Sequence, residues 1–472
     1  MSGITRRKVL AGAAAAGLVG AAPAFAAGVT EKYDVVVVGS GSAGFAAAIR
    51  AAEAGSSVIL LEVNTWFGGA SRVATGIFGC AGHPIQKALG FKTTPEDLYQ
   101  LYIGEAAATH TVGEPDVARI LADGAIPAAD WLESLGVRWS RKKAQKFFLN
   151  IEEGVRLGQV LIPALEAKAK SLGVAMRTRT RATELITSGG RVTGVICKTP
   201  KGVTRYAAKA VILATGGFEG NPHMIAKYIG DGWDMAGFYC TPADRGDGQR
   251  MGEAAGAELA DMDVFKANPT IHRFEGNKYN MRPAVNAGAI IVNQDGVRFM
   301  NETGGYWEAR KIWALPQKQA WVVFGDPVLA ADKRLPGLIA AGSIVKAVDA
   351  AALEMKTGIN GKALADTIAA YTKLAETGKD PDFGYSAEMN VIGDGPYYLM
   401  ACKPAVHYTM GGLHITPEAE VLTVDGTPIA GLYATGEVAG HKMGTNRLGS
   451  CSMTDIYTFG RIAGKNAADY AA

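Results

Sequence analysis

The chain has few cysteines and no metal- or haem-binding spacing among them. Cys80, Cys197, Cys240, Cys402 and Cys451 are scattered through 472 residues with no C-x-x-C and no C-x-x-C-H. That excludes a covalently attached c-type haem and any recognisable zinc or iron-sulfur ligand set. A disulfide stays open, but spacing alone assigns no pairing. The chain also lacks a charge excess: 48 Lys and Arg face 45 Asp and Glu, a formal +3. Nothing in that balance asks for a nucleic-acid partner. Nor is there a long hydrophobic run near the start. The stretch from Val9 to Phe25 is short, and its alanines and glycines are only mildly hydrophobic, which argues against a membrane-spanning anchor.

That stretch follows Thr5-Arg6-Arg7-Lys8, ends at Ala24-Phe25-Ala26, and has no acidic residue before Glu31. Paired arginines, an apolar middle and a small-x-small cleavage pattern form a twin-arginine export signal. The expectation is a signal over residues 1–27 and a periplasmic mature protein that does not span a membrane. Arg6, Arg7 and Lys8 leave with the signal, so the mature chain is near neutral. Twin-arginine export moves folded proteins, which allows a cofactor to be inserted first.

The next segment carries a nucleotide signature. Tyr33-Asp34-Val35-Val36-Val37-Val38 reads as a buried strand, and Gly39-Ser40-Gly41-Ser42-Ala43-Gly44 follows it. Ala43 to Ala54 reads as a helix rich in small residues, and a second strand, Ser57 to Leu61, ends at Glu62, 18 positions after Gly44. Strand, glycines, helix, strand and acid in that order form a dinucleotide-binding βαβ unit. Gly39, Gly41 and Gly44 permit the tight turn and the close approach of a pyrophosphate to the helix N-terminus. Glu62 is positioned to accept hydrogen bonds from ribose hydroxyls. No second fingerprint of this strength follows, so there is no evident NAD(P)H site, and export would separate the protein from the cytoplasmic pool of that cofactor. FAD is the dinucleotide this pattern favours, with electrons passing to or from another partner.

From Thr94 to Leu172 the pattern reads as helical, with a capping-box start at Thr94-Pro95-Glu96-Asp97. Val174 to Ala214 alternates as strands do, with turns at Gly189-Gly190 and Lys201-Gly202. Two strand-to-glycine segments, Ala210 to Phe218 and Gly431 to Glu437, lie far apart in sequence. Nucleotide elements at both ends imply an insertion between them. The fold class expected is α/β: a Rossmann-like FAD-binding domain over 30–263 and 396–472, with an inserted α+β capping domain over 264–395.

Several segments together resemble the flavoprotein family of fumarate reductases, succinate dehydrogenases, urocanate reductases and 3-ketosteroid dehydrogenases. They are the glycine loop, Ala214 to Phe218, Arg245-Gly246-Asp247-Gly248, Ala267-Asn268-Pro269-Thr270, Gly296 to Glu302, His407-Tyr408-Thr409-Met410-Gly411-Gly412, and Gly436 through Gly449. The resemblance is nearest to the soluble periplasmic flavocytochrome c fumarate reductases, without their haem domain. It implies hydride transfer between flavin N5 and one carbon of an activated double bond, with a proton delivered to the neighbouring carbon. It further implies that Gly69, Ser71, Thr215, Gly216, Asp247, Glu437, Leu448 and Ser452 meet the FAD.

The resemblance places the substrate-binding arginine on Arg447. The family's histidine pair reads His407-Tyr408 here, its A-H-P-T histidine is Asn268, and the position of its proton-donating arginine is Tyr306. With those cationic groups gone and Arg447 kept, a substrate with one carboxylate or carbonyl beside a neutral body fits better than fumarate. Tyr306 and Tyr408 are the candidate proton donors, since a phenol with pKa about 10 is protonated at neutral pH. Arg310 is the alternative donor if the register shifts, and Arg282 and His272 are weaker candidates. Ala70 stands where succinate dehydrogenases attach flavin through histidine, so FAD is expected to be noncovalent; His83 is wrongly spaced for that role. The leading reading is a reductase of an unsaturated carboxylate or carbonyl compound, fed by a separate electron donor such as a periplasmic cytochrome c or a quinol system. A dehydrogenase using an external acceptor and a non-catalytic flavin electron carrier remain as alternatives.

Overall fold

The computed structural model describes residues 30–74, 77–107, 115–304, 307–443, 447 and 449–472. The export signal with Arg6 and Arg7, and also Tyr306 and Leu448, lie outside the described residues. An eight-stranded sheet forms the base. Its central strands are β1 (Thr30–Val38), β2 (Val58–Leu61), β6 (Ala175–Arg177), β9 (Gly202–Leu213) and β19 (Pro428–Ala434), all paired in parallel. Antiparallel β7 (Arg181–Ser188), β8 (Arg191–Thr199) and β18 (Glu420–Leu422) extend it. Val35 to Val38 and Val211 to Leu213 are buried on both faces, as parallel strands covered by helices require. The first helix, Ser42–Glu53, and the C-terminal helix, Cys451–Ala471, pack on each other against this sheet. β19 pairs with β9 although more than 200 residues separate them in sequence, so both ends of the chain build one nucleotide-binding layer.

The expected helical run from Thr94 to Leu172 is corrected. Helices Pro95–Ala107, Pro115–Ser134 and Leu157–Ser171 are present, but the hairpin of β4 (Trp139–Gln145) and β5 (Phe148–Ile151) interrupts them. Gly136, with φ +97°, ends the second helix. Trp139, Leu149 and Ile151 then turn inward with a strand's alternation, which the intervening lysines and arginines hide in the sequence. Strand β3 (Ile77–Gly79) pairs with β5 and completes this small sheet. The capping box at Thr94 forms: Thr94 N donates to Asp97 Oδ2 at 2.8 Å and Asp97 N to Thr94 Oγ1 at 3.3 Å.

A second, antiparallel sheet has six strands: β11 (Phe265–Phe274), β12 (Asn277–Asn280), β13 (Ile290–Val292), β14 (Ala320–Phe324), β15 (Val345–Ala347) and β16 (Tyr397–Thr409). β16 pairs with β11, β14 and β15, and ends at the first sheet's glycine-rich edge. Two short strands, β10 (Leu259–Ala260) and β17 (Gly412–Leu413), pair where the chain passes between the layers. An aromatic knot joins the layers: Trp233 stacks on Trp313 at 4.6 Å and meets the edge of Phe265 at 4.7 Å. Among the described residues no helix is long and apolar enough to cross a membrane.

Candidate active site

A cleft opens at the carboxyl ends of β1, β2, β9 and β19, where open α/β sheets bind their ligands. Gly39, Gly41, Glu62, Gly69, Ser71, Thr215, Gly216, Asp247 and Glu437 all line it. Gly44 lies beneath rather than in the lining: a Cβ added there would stand 1.8 Å from Gly39 O, so this glycine lets the first helix seat against the loop. A Cβ on Gly41 would meet nothing within 4 Å, because that Cα faces the open cleft. Ser452 belongs to the first turn of the C-terminal helix and is not part of the lining.

Polar groups around the cleft are held by hydrogen bonds within the protein. Glu62 is 4% exposed and accepts from Ser40 N at 3.2 Å, Asn64 N at 2.7 Å and Asn64 Nδ2 at 2.8 Å, with Ser40 Oγ a further donor. Ser42 N donates to Ser71 Oγ at 3.1 Å, tying the helix N-terminus to the 69–73 turn. Gly248 N donates to Thr215 Oγ1 at 3.2 Å. Asp247 is held by Arg181 at 2.8 Å and by Arg250. The arrangement suits FAD: a glycine floor and helix N-terminus for the pyrophosphate, a buried carboxylate for the ribose, and length along the sheet edge for the ring system. Ala70 lines the cleft. His83 instead caps the helix Pro84–Ala88, its Nδ1 accepting from Ile85 N at 3.2 Å while Nε2 lies 3.2 Å from Asp130.

Beneath the far end of the cleft lies a group of buried acids that sequence reasoning missed apart from Glu437. Thr409 N and Oγ1 donate to Glu437 Oε1 at 2.8 and 3.2 Å, and Cys240 Sγ lies 3.1 Å from Asp244 Oδ2. A Cβ placed on Gly217 would stand 2.3 Å from Glu437 Oε1 and 2.6 Å from Glu219 Oε2, so both carboxylates crowd one point. Desolvation, and then the neighbouring carboxylates, push Glu219 well above the usual range; desolvation raises Asp244 to about 7 and Glu437 to about 8. Glu219, Cys240 and Asp244 bring ligand atoms within 4.8 Å of one another, a spacing a cation can bridge. Glu219 and Asp244 directly adjoin the Ala214–Phe218 and Arg245–Gly248 motifs, which was the available signal.

Next to Glu437, which Thr409 of β16 binds, stands a group of side chains that lie outside the cleft's lining. Tyr408 on β16 faces Lys266 on β11 in the strand register. Arg447, 3% exposed, sets its guanidinium carbon 4.5 Å from the centre of the Tyr408 ring, and Lys266 Nζ donates to the Arg447 carbonyl. Lys266 is 4% exposed. His407 Nδ1 lies 3.3 Å from the Tyr239 carbonyl, which only accepts, so Nδ1 carries the proton. Desolvation and then Arg447 hold the His407 imidazole down to about 4, leaving it neutral. Desolvation keeps the Tyr408 phenol well above its usual value, with the Glu437 and Asp455 carboxylates adding to the effect.

The segment from Arg298 to Thr303 is tied down by ion pairs and hydrogen bonds. Arg298 binds Glu302 in a two-pronged pair at 2.7 and 2.8 Å and Asp380 at 2.7 Å, all buried. Arg282 donates to the carbonyls of Glu302 at 3.1 Å and Thr303 at 2.8 Å. Arg310 is exposed on the helix Glu308–Trp313, 4.8 Å from the Phe265 ring, and lines a different pocket together with Asp231 and Asp263. His272 is engaged by Ala401 O at 2.7 Å and Ser343 Oγ at 2.5 Å, and Asn268 Oδ1 accepts from Thr270 N at 3.1 Å.

Comparison with known proteins agrees with this architecture. A family model described as an FAD binding domain matches residues 34–453. A urocanate reductase of Eggerthella lenta is 37% identical over 475 residues, covering 95% of this chain and 76% of its own. A cytochrome-type fumarate reductase of Shewanella frigidimarina is 34% identical over 454 residues, covering 93% of this chain and 78% of its own. The solved open conformation of a flavocytochrome c3 fumarate reductase superposes with a TM-score of 0.80 at 31% identity, covering 94% of this chain and 79% of its own. Glycine floor, buried Glu62 carboxylate, split sheet and relatives converge: the chain belongs to the FAD-binding flavoprotein family of the fumarate and urocanate reductases and is an FAD-dependent oxidoreductase acting on CH–CH groups.

Proposed function

We propose that this protein reduces the activated C=C bond of an unsaturated carboxylate. The observation that carries the reading is the pairing of two buried cations, Arg447 and Lys266, around Tyr408 at one end of the FAD cleft. Lys266 changes the charge count made from sequence, because it adds a cation where the family's histidine and arginine positions are neutral. Bound FAD supplies the hydride through its N5 atom. Arg447 and Lys266 hold the substrate carboxylate and stabilise negative charge developing on it in the transition state. His407 is neutral and orients rather than charges the pocket.

The proton comes from a tyrosine, Tyr306 or Tyr408. The Tyr408 phenol stays protonated at neutral pH, as a donor for the reducing direction must be. The segment 264–395, whose sheet β16 completes, acts as a cap over the cleft. FAD binds noncovalently, since Ala70 offers no nucleophile at the turn facing it. The mature protein works in the periplasm, exported by its paired arginines, and takes electrons from a separate cytochrome or quinol-linked donor.

The test is anaerobic oxidation of reduced viologen dye by the purified protein against fumarate, methacrylate, urocanate, cinnamates and an enone steroid. Turnover with at least one unsaturated carboxylate is expected, with a monocarboxylate preferred to fumarate. Turnover with the steroid alone, or silence across the panel with FAD bound, overturns the reading.

A further inference from the structure

One surface of the molecule concentrates charge that the chain as a whole lacks. Between residues 138 and 156 six Lys and Arg stand against two Glu, a net of +4, larger than the +3 of the entire 472 residues. This stretch is the β4–β5 hairpin and the turn after it, and Arg138, Lys142, Lys143, Lys146 and Arg156 are all exposed. Arg141 pairs with Glu133, so part of the charge is answered locally.

The hairpin is built onto the flavin cleft. β5 pairs with β3, only a few residues beyond the Gly69–Val73 turn whose Gly69, Ala70 and Ser71 line the cleft. The helix Leu157–Ser171, entered directly from the turn after the hairpin, packs on the Gly69–Val73 turn: Gly158 N donates to Ala74 O at 3.1 Å, and a Cβ on Gly158 would stand 2.4 Å from the carbonyls of Ser71 and Arg72. Beside the Gly69–Val73 turn, at the root of the hairpin, three apolar side chains are exposed, Trp66 at 40%, Val73 at 72% and Val155 at 37%. Arg72, 5.7 Å from the Trp66 ring, and Arg156 border them.

An apolar centre with a basic border fits a partner with an acidic border and an apolar contact of its own. We propose that this face is the docking site of an acidic, redox-active protein that delivers electrons to the bound FAD, an inference that rests on the reductase reading above. Two electrons leave the reduced partner, which is oxidised, and pass to FAD with protons from solvent. The lysines and arginines steer the encounter, and Trp66, Val73 and Val155 make the contact.

The test follows flavin reduction by stopped flow, with a photoreduced acidic flavodoxin as probe and reduced viologen as a small donor. The flavodoxin rate is expected to fall about tenfold or more as salt screens the contact, and the viologen rate to stay flat. Lys142→Glu, Lys143→Glu and Lys146→Glu combined should remove the salt-sensitive rate while the flavin spectrum and viologen rate hold, and carbodiimide cross-links to the probe should map to those lysines. A flavodoxin rate indifferent to salt and to the triple variant overturns the proposal. So does binding of wild type, and not of the variant, to vesicles of equal phosphatidylglycerol and phosphatidylcholine, which would make the face a membrane contact. Flavin reduction is read without substrate, so silence across the substrate panel defeats the reductase reading without deciding this one.

Discussion

The two sides of the candidate active site are made by different means. On the first sheet the main chain does much of the work: Gly39, Gly41 and Gly216 shape the floor, and the buried side chain of Glu62 is locked by Ser40 and Asn64. On the second sheet the side chains do it, with Lys266, His407 and Tyr408 set by the register of β11 against β16 and Arg447 lying against the Tyr408 ring. A cofactor shared by many enzymes is met by backbone, whose geometry tolerates little change. A substrate peculiar to one enzyme is met by side chains, which evolve without disturbing the fold.

This contrast is broken most severely through the glycines. Gly44→Ala puts a methyl group onto the Gly39 carbonyl, and overpacking of this kind costs about 1–3 kcal/mol or more. Protein purified from this variant should be largely free of flavin and melt at lower temperature. Gly41→Ala meets no protein atom within 4 Å, so it should melt normally as the apoprotein yet bind FAD weakly. Visible absorbance per protein and thermal melts read both, and stoichiometric flavin in Gly44→Ala would contradict the packing role.

Side-chain changes on the other wall should leave flavin in place and lower turnover. Arg447→Met is expected to reduce kcat/KM by about 10²–10³-fold. Lys266→Met should cost about 10–100-fold, the range for a hydrogen bond to a charged group, mostly in KM. Tyr408→Phe keeps the ring under Arg447, and if Tyr408 is the donor it lowers kcat by about 10²-fold or more. Loss of flavin in step with activity would show that the two walls are not separable.

The smallest effect is on stability. Folded Asp244 and Glu437 hold protons to about 7 and 8, against ordinary values of 3.8 and 4.5, and Glu219 is raised as well. The folded apoprotein therefore binds more protons than the unfolded chain, and its stability falls as pH rises through that window. His407 acts in the opposite sense, losing stability as pH falls from 6.5 toward about 4. Above pH 6.5 only the acids contribute, so the apoprotein's Tm should decline toward pH 8, and Glu219→Gln should flatten that decline.

The cofactor wall was legible because strand, glycines, helix and acid fall within about thirty consecutive residues and each has a mechanical reason. Arg447 and the His407-Tyr408 pair were legible through family motifs. Lys266 was not, because a lysine in a strand reads as a surface residue until β16 is laid against it. The β4–β5 hairpin was hidden for a related reason: Arg141-Lys142-Lys143 resembles the polar face of a helix, and only the inward turn of Trp139, Leu149 and Ile151 declares a strand. Glu219 and Asp244 sit beside readable motifs, yet their crowding arises from the fold alone.

The most direct measurement compares an unsaturated monocarboxylate that the protein turns over with its methyl ester, in wild type and in Arg447→Met. The account predicts that wild type prefers the acid by about 10²-fold or more and that the preference collapses in the variant with FAD still bound. Equal turnover of acid and ester by wild type would contradict a site organised around a carboxylate.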